Sequence, residues 1–270
     1  MLLITPAVFL RSSSAPAAII AVLVGIAVVY SLRTAGQQPA PQVQRSQVNV
    51  TRVKPDMIDE FLDFQAKQTL PALKKAGVPQ RDLYQSVLGP AFEFRSVTPI
   101  TNFAERDSFA NAIEKALGAA GYKEYNAAVR KLITSQQISV IQSIPEASYN
   151  PNPNVTFKIM VLSMDHVAPG RETEYLNYQK NDILPLQQKG EVKRRLVNQV
   201  VFGGDPMEYR TAVYMDKYAD LDSGPAVTRV LGAAGALELR KKTAGVISST
   251  QRGVYVRLDA LSYRTGTSTN

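Results

Sequence analysis

Residues 53–76 read VKPDMIDEFLDFQAKQTLPALKKA, and residues 167–190 read VAPGRETEYLNYQKNDILPLQQKG. The second stretch starts 114 residues after the first. In this alignment Glu60 meets Glu174, Leu62 meets Leu176, Gln65 meets Gln179, Leu70-Pro71 meets Leu184-Pro185 and Lys75 meets Lys189. Phe61 and Phe64 meet Tyr175 and Tyr178, so the aromatic character persists. The register holds outward from there. Leu117-Gly118-Ala119-Ala120-Gly121 returns as Leu231-Gly232-Ala233-Ala234-Gly235, and Ser148-Tyr149 returns as Ser262-Tyr263, both again 114 later. Between these blocks Glu93-Phe94-Arg95 meets Glu208-Tyr209-Arg210 at 115, so one residue is gained near Asp205-Pro206 and lost again. A period this long is not that of a solenoid; it fits a compact unit written twice.

The first copy spells out its elements. Gln47 to Val53 alternates Val48 and Val50 with polar residues, as a half-buried strand does. Pro55 ends it and Asp56 can cap a helix from Met57 to Ala76, whose apolar positions Ile58, Phe61, Leu62, Leu70 and Leu73 leave one wet face. Gly77-Val78-Pro79 stops that helix. Leu83–Leu88 and Phe92–Ile100 read as strands around Gly89-Pro90. Asp107–Leu132 is helical in pattern, with LGAAG as a kink, and Ser139–Ile144 closes the unit as a short strand.

The second copy runs in the same order. It has a strand 157–165, a helix 169–188, strands 195–202 and 207–216, an interrupted helix 221–244 and a strand 254–258. Each copy is therefore β-α-β-β-α-β, which predicts a four-stranded antiparallel sheet with both helices on one face, the ferredoxin-like arrangement. The bare sheet faces of two such units are expected to pack together. Leu83, Val87, Phe94, Val140, Val200, Tyr209, Val213 and Val254 are candidates for that shared core. The fold class expected is thus α+β: two tandem ferredoxin-like βαββαβ units packed sheet to sheet as an intramolecular α+β barrel, after an N-terminal hydrophobic helix.

The unit boundaries fall at 47–149 and 155–263, with Asn150–Asn154 (NPNPN) as linker and 264–270 as a disordered tail. Upstream, Ala17–Leu32 reads AAIIAVLVGIAVVYSL, uncharged and flanked by Arg11 and Arg33. It is short for a spanning helix and long for a signal-peptide core, so 1–33 reads as either a signal peptide or a retained signal anchor. Residues 34–46 are rich in Gln and Pro and read as a flexible tether. These features place the repeated part outside the cytoplasm, in the periplasm or on the outer face of the inner membrane, with the N-terminal segment as the membrane partner.

Composition narrows the chemistry. The chain has no cysteine, no tryptophan and one histidine, His166. That removes thiolate nucleophiles, zinc–thiolate sites and multi-histidine metal sites, and leaves carboxylate-only sites open. No carboxylate spacing of the D-x-D-x-D or H-E-x-x-H kind occurs, so no metal and no catalytic residue is expected. The net charge is +8, but the clusters Lys193–Arg195 and Arg240–Lys242 lack interleaved aromatics. They read as solvated basic surface, with no nucleic-acid partner. Glu93/Arg95 and Glu208/Arg210 read as ion pairs on an exposed strand face.

Three residues stand out as ligand-cavity candidates. Gln65 lies seven residues from Ile58, on the helix face that also carries Phe61, and Gln179 falls among Tyr175, Leu176, Ile183 and Leu186. An amide on an inward stripe must be hydrogen-bonded, either to a ligand or to a neighbouring backbone group. His166, at a strand end and aligned with Arg52, is either a base or ligand near neutrality or a surface residue.

On the valine strand ending at Val53-Lys54-Pro55, the helix Met57–Ala76, the paired strands and the second helix broken at LGAAG, the chain resembles the dimeric α+β barrel superfamily. It looks most like the NIPSNAP and antibiotic-biosynthesis-monooxygenase-like branches, with two units in one chain. The resemblance implies a cavity between sheet and helices, used in that superfamily for cofactor-free oxygenation, haem chemistry, ring isomerisation or binding. Haem-binding members need an axial histidine on a helix; His166 falls at a strand end instead. The leading expectation is a non-catalytic or small-molecule-binding envelope protein that takes a small hydrophobic ligand and no cofactor. The alternative is a cofactor-independent monooxygenase-like or haem-linked enzyme using the sheet–helix cavity.

Overall fold

The computed structural model describes residues 43–265. The hydrophobic segment 17–32 and the tail from 266 onward lie outside the described residues, as does most of the tether. No helix among the described residues is long and apolar enough to cross a membrane.

The first strand, β1 (Arg45–Val53), opens inside the stretch read as tether. A 3₁₀ turn at Pro55–Met57 leads into α1 (Ile58–Phe64), a π-helical stretch (Gln65–Thr69) and α2 (Leu70–Lys75). The sequence predicts one regular helix here; the structure widens it in the middle. In that middle the Leu70 N–H reaches the Gln65 carbonyl, five residues back. Pro71 accounts for the slip, because it has no N–H to give the Lys67 carbonyl and its ring crowds that turn. Strands β2 (Gln80–Leu88) and β3 (Glu93–Ile100) follow, then α3 (Ala112–Leu132) and β4 (Ile133–Ser143). Asn111 caps α3, its side chain accepting from the Ile113 and Glu114 N–H groups.

The order then repeats. β5 (Ile159–Val167) leads to α4 (Glu172–Asn177), a second π-helical stretch (Tyr178–Ile183) and α5 (Leu184–Lys189), which again carries a proline in its first turn. β6 (Arg194–Phe202), β7 (Glu208–Met215), a short α6 (Ala219–Asp222), α7 (Ala226–Lys241), β8 (Ile247–Arg257) and the two-residue β9 (Tyr263–Arg264) complete the chain. LGAAG is a kink in both long helices: Gly118 sits at φ 71°, ψ 173° and Gly232 at φ 71°, ψ 172°.

The strands run in the order β3-β1-β4-β6-β7-β5-β8-β2, and β3 also pairs with β2. That last pairing closes an eight-stranded antiparallel barrel, with β9 added beside β2. Two seams join the copies. β4 meets β6 with Gln142 opposite Gln199, and β2 meets β8 with Gln85 opposite Val256. Closure leaves no edge among these eight strands, which removes unpaired backbone groups that would otherwise template aggregation.

Alternation along the strands divides their side chains between the barrel interior and the helix side. Tyr84 packs with Met160, Leu162, Ala212 and Tyr255, and Val48 and Ile141 pack with Val200, so residues of both copies fill the barrel. The expected shared core was partly in the wrong phase. Val200 faces the barrel interior, but Leu83 and Phe94 pack on Phe61, and Tyr209 packs on Tyr175, all under helices. Val213 and Val254 also lie on the helix side, on a cavity wall, and Val87 is exposed. Both faces of these strands are covered, so both carry apolar residues and hydropathy alone does not choose between them.

The Glu/Arg pairs are corrected outright. Glu93, Arg95 and Arg210 are buried, not surface ion pairs. Arg95 donates to Glu93 at 2.8 Å, the Tyr255 hydroxyl of the other copy donates to the same carboxylate at 3.0 Å, and Arg210 donates to Ser139 at 3.1 Å. The basic cluster at 193–195 also departs from its reading. Arg194 and Arg195 are buried, Arg194 lying over the Phe157 ring at 4.7 Å.

The segments after β4 and β8 are exchanged between the copies. Tyr149 bridges to Arg195 and Ala147 packs with Tyr175 and Val197; reciprocally, Tyr263 pairs with Arg81 and Leu261 packs with Phe61 and Leu83. Ser148 Oγ accepts from the Val197 N–H and Ser262 Oγ accepts from the Leu83 N–H, each at 2.9 Å. The repeated Ser-Tyr pair is thus the clasp by which each copy holds the other. β9 also brings Arg264, read as the start of the tail, into the sheet.

Candidate functional site

Two cavities open between helices and barrel wall, one per copy. The first, about 760 Å³, lies among β1–β4, the π-helical stretch at Gln65 and α3. The second, about 1130 Å³, lies among β5–β8, the π-helical stretch at Gln179 and α7. The π turns swing Gln65 and Gln179 onto these walls, and both side chains are buried. Each amide oxygen accepts from a buried guanidinium: Arg81 donates to Gln65 and Arg195 donates to Gln179. The satisfying group is a side chain, not a neighbouring backbone group.

Arg81 also donates to Ser96 Oγ at 3.0 Å and to the Leu261 carbonyl at 3.1 Å. Arg195 also donates to the Ala147 carbonyl. Both arginines are 2% exposed, and burial lowers each pKa to about 10. Their anchoring carbonyls come from the exchanged segments, so each copy fixes the arginine of the other's cavity. Neither arginine reads as a site residue in the sequence, Arg195 falling in a cluster read as solvated surface, although they stand 114 residues apart; that one further identity in the self-comparison is the signal that finds them.

The cavities differ in what faces the arginine. In the second, the buried Asp165 carboxylate accepts from Tyr175 Oη at 2.9 Å and from Thr250 Oγ1 at 2.7 Å. Burial and the adjacent Asp165 push the Tyr175 phenol well above its ordinary value, so it stays protonated and donates. Burial likewise raises Tyr178 on the same wall. In the first cavity the matching positions are Thr51, Phe61 and Gln136, and Gln136 donates to Thr51 Oγ1 at 3.3 Å. At these positions one half carries a carboxylate and a phenol beside its guanidinium; the other has a hydroxyl, a phenyl ring and an amide.

His166 joins neither site. Its side chain is 40% exposed, its Nδ1 lies 3.1 Å from Asp205 Oδ2, and it points to the opposite face of β5 from Asp165. Neither cavity wall carries a histidine. A histidine-ligated haem, which the superfamily resemblance brings into question, does not fit the residues of either cavity. Among the described residues no three His, Asp or Glu side chains gather as metal ligands.

No family model matches the chain, and no curated protein matches it in sequence. Solved structures match it in shape. An anthrone oxidase-like protein is 10% identical, with 83% of this chain and 94% of that one aligned and a TM-score of 0.56. A candidate monooxygenase from Fusobacterium nucleatum subsp. nucleatum is 12% identical over 83% and 95% of the two chains, with a TM-score of 0.53. A candidate chlorite dismutase is 14% identical over 81% and 96%, with a TM-score of 0.52. At these identities the likeness is one of fold, an antiparallel α+β barrel.

Proposed function

We propose that the protein is an oxygenase of the cofactor-independent kind, acting on a small aromatic carbon acid in the second cavity. The observation that carries this reading is the buried Asp165–Arg195 pair on the wall of the second cavity, with Tyr175 hydrogen-bonded to Asp165 behind it. Asp165 takes a proton from the carbon next to the substrate's carbonyl, and the electron pair delocalises onto that carbonyl oxygen as an enolate. Arg195 and Gln179 stand where positive charge and a donor amide stabilise it. Dioxygen, the oxidant, adds to the carbanion carbon; Asp165 returns its proton to give a hydroperoxide, and loss of water leaves a second carbonyl. A CH₂ group and O₂ thereby become C=O and H₂O. The fold neighbours described as an anthrone oxidase-like protein and a candidate monooxygenase support this over the non-catalytic envelope reading.

The test is oxygen uptake by the full-length chain with anthrone as the probe. Wild type is expected to consume oxygen and form the quinone, and Asp165→Asn to lose about a hundredfold or more of the rate, the scale of a general base. No uptake by wild type, or an unchanged rate in Asp165→Asn, rejects the reading.

Two finer readings belong with it. The equal period of the sequence, the paired glycine kinks and the reciprocal clasp support a tandem pair of ferredoxin-like units, closest in pattern to the NIPSNAP and antibiotic-biosynthesis-monooxygenase-like branches. The segment 17–32 supports export of the barrel, cleaved or anchored. Cell fractionation with and without that segment decides the second point; equal cytoplasmic recovery of both forms rejects export.

A further inference from the structure

We propose that the first cavity is a separate binding site for an organic carboxylate, held by Arg81. This stands apart from the chemistry assigned to the second cavity and does not depend on it. Arg81 is 2% exposed and lines the cavity, and its acceptors, Gln65 Oε1, Ser96 Oγ and the Leu261 carbonyl, are all uncharged. No carboxylate lines this cavity among the described residues, whereas Arg106 and Lys115 add positive charge to its wall.

The twin site shows what is missing. Across from Arg195 the other copy supplies Asp165; at the matching position this copy supplies Thr51, and Phe61 replaces the phenol of Tyr175. A buried guanidinium without a countercharge is costly, and the twin copy shows that the scaffold accommodates one. Tyr125, beside Arg81, does not supply it: burial raises its pKa, so it stays neutral at physiological pH and shares a hydrogen bond with Thr69 at 2.8 Å. Besides the N–H groups given to Gln65 and Leu261, each terminal nitrogen of Arg81 carries a second one, and a carboxylate matches such a fork. Phe61, Leu73, Phe94 and Ile113 form the apolar part of the wall, which suits a ring or short chain attached to the carboxylate.

Calorimetric titration of the full-length chain with 1-naphthoate and its neutral analogue 1-naphthamide tests this. Naphthoate is expected to bind about tenfold or more tighter than naphthamide, with Arg81→Met erasing that difference. Arg81→Met also removes three hydrogen bonds, so Thr51→Asp provides the test that keeps the fold. It installs the carboxylate that the twin site carries, and is expected to raise the melting temperature while abolishing naphthoate binding. Absence of naphthoate binding to wild type, equal binding of the two probes, or full naphthoate affinity in Thr51→Asp each overturns the proposal.

Discussion

Gln65 is a polar residue on an inward helix face whose value lies in the cation it satisfies. Replacing it with Leu adds apolar surface but strands the Arg81 Nη2 group in a dry wall. Gln65→Leu is therefore expected to destabilise the protein by about 2–3 kcal/mol, the scale for a buried hydrogen bond to a charged group, measured by urea unfolding. A gain in stability contradicts the pairing. In the barrel interior, Glu93 is the carboxylate partner of buried Arg95, and Tyr255 ties the pair to the other copy. Glu93→Gln leaves that arginine without its charge partner and is expected to cost about 3–5 kcal/mol in the same assay. At this scale the sequence was half legible. The spacing of Gln65 and Gln179 marked the two cavity walls, but their arginine partners sit on strands whose faces alternate, where hydropathy does not say which way a charge points. Asp165 was hidden for the same reason: it reads as the polar end of a strand beside the more conspicuous His166, which points away from the cavity.

Among the elements, the broken helices α3 and α7 were legible and the long strands were not. LGAAG announces a bend because glycine alone takes φ 71° with ψ near 173° at ordinary cost. A Cβ at Gly118 meets nothing within 4 Å, so the cost of Gly118→Ala is one of backbone conformation alone. That substitution is expected to destabilise by about 1–3 kcal/mol with the cavity-lining side chains undisturbed, and Gly232→Ala by the same amount, both read from thermal unfolding. If either is neutral, the kink is not held in this conformation. The first halves of β4 and β8 escaped the reading because their residues are exposed and polar, giving no alternation to detect. The π-helical stretches escaped because the apolar spacing reads as one regular helix through Pro71 and Pro185, whereas the helix absorbs each proline by widening the turn before it.

For the whole molecule, a self-comparison of the chain is enough to predict two like units, and the excess of apolar residues on both strand faces requires that both be covered. What it leaves out is closure, since strand pairing across copies and the exchange of clasps depend on register between segments far apart in sequence. A densely buried set of tyrosines is one global consequence. Burial raises the pKa of Tyr84, Tyr175 and Tyr214, the last to about 12, against 10.0 in the open. Above about pH 10 the unfolded chain sheds protons that the folded chain keeps, so these groups lower stability as pH rises. Arg81 and Arg195, lowered to about 10, act in the opposite sense, but they are fewer than the buried phenols. An ultraviolet titration should therefore show a set of tyrosines that stay protonated past pH 10 and ionise together as the protein unfolds; smooth ionisation of all of them from the start contradicts that packing.

The pairing of the two copies into one barrel is read most directly from nuclear Overhauser contacts between strand backbones in the labelled full-length chain. The closed barrel requires cross-peaks joining Gln142 to Gln199 and Gln85 to Val256, together with Arg81 to Tyr263 at the clasp. Contacts confined within each copy, with β2, β4 and β6 exchanging their amides freely along the seams, contradict it.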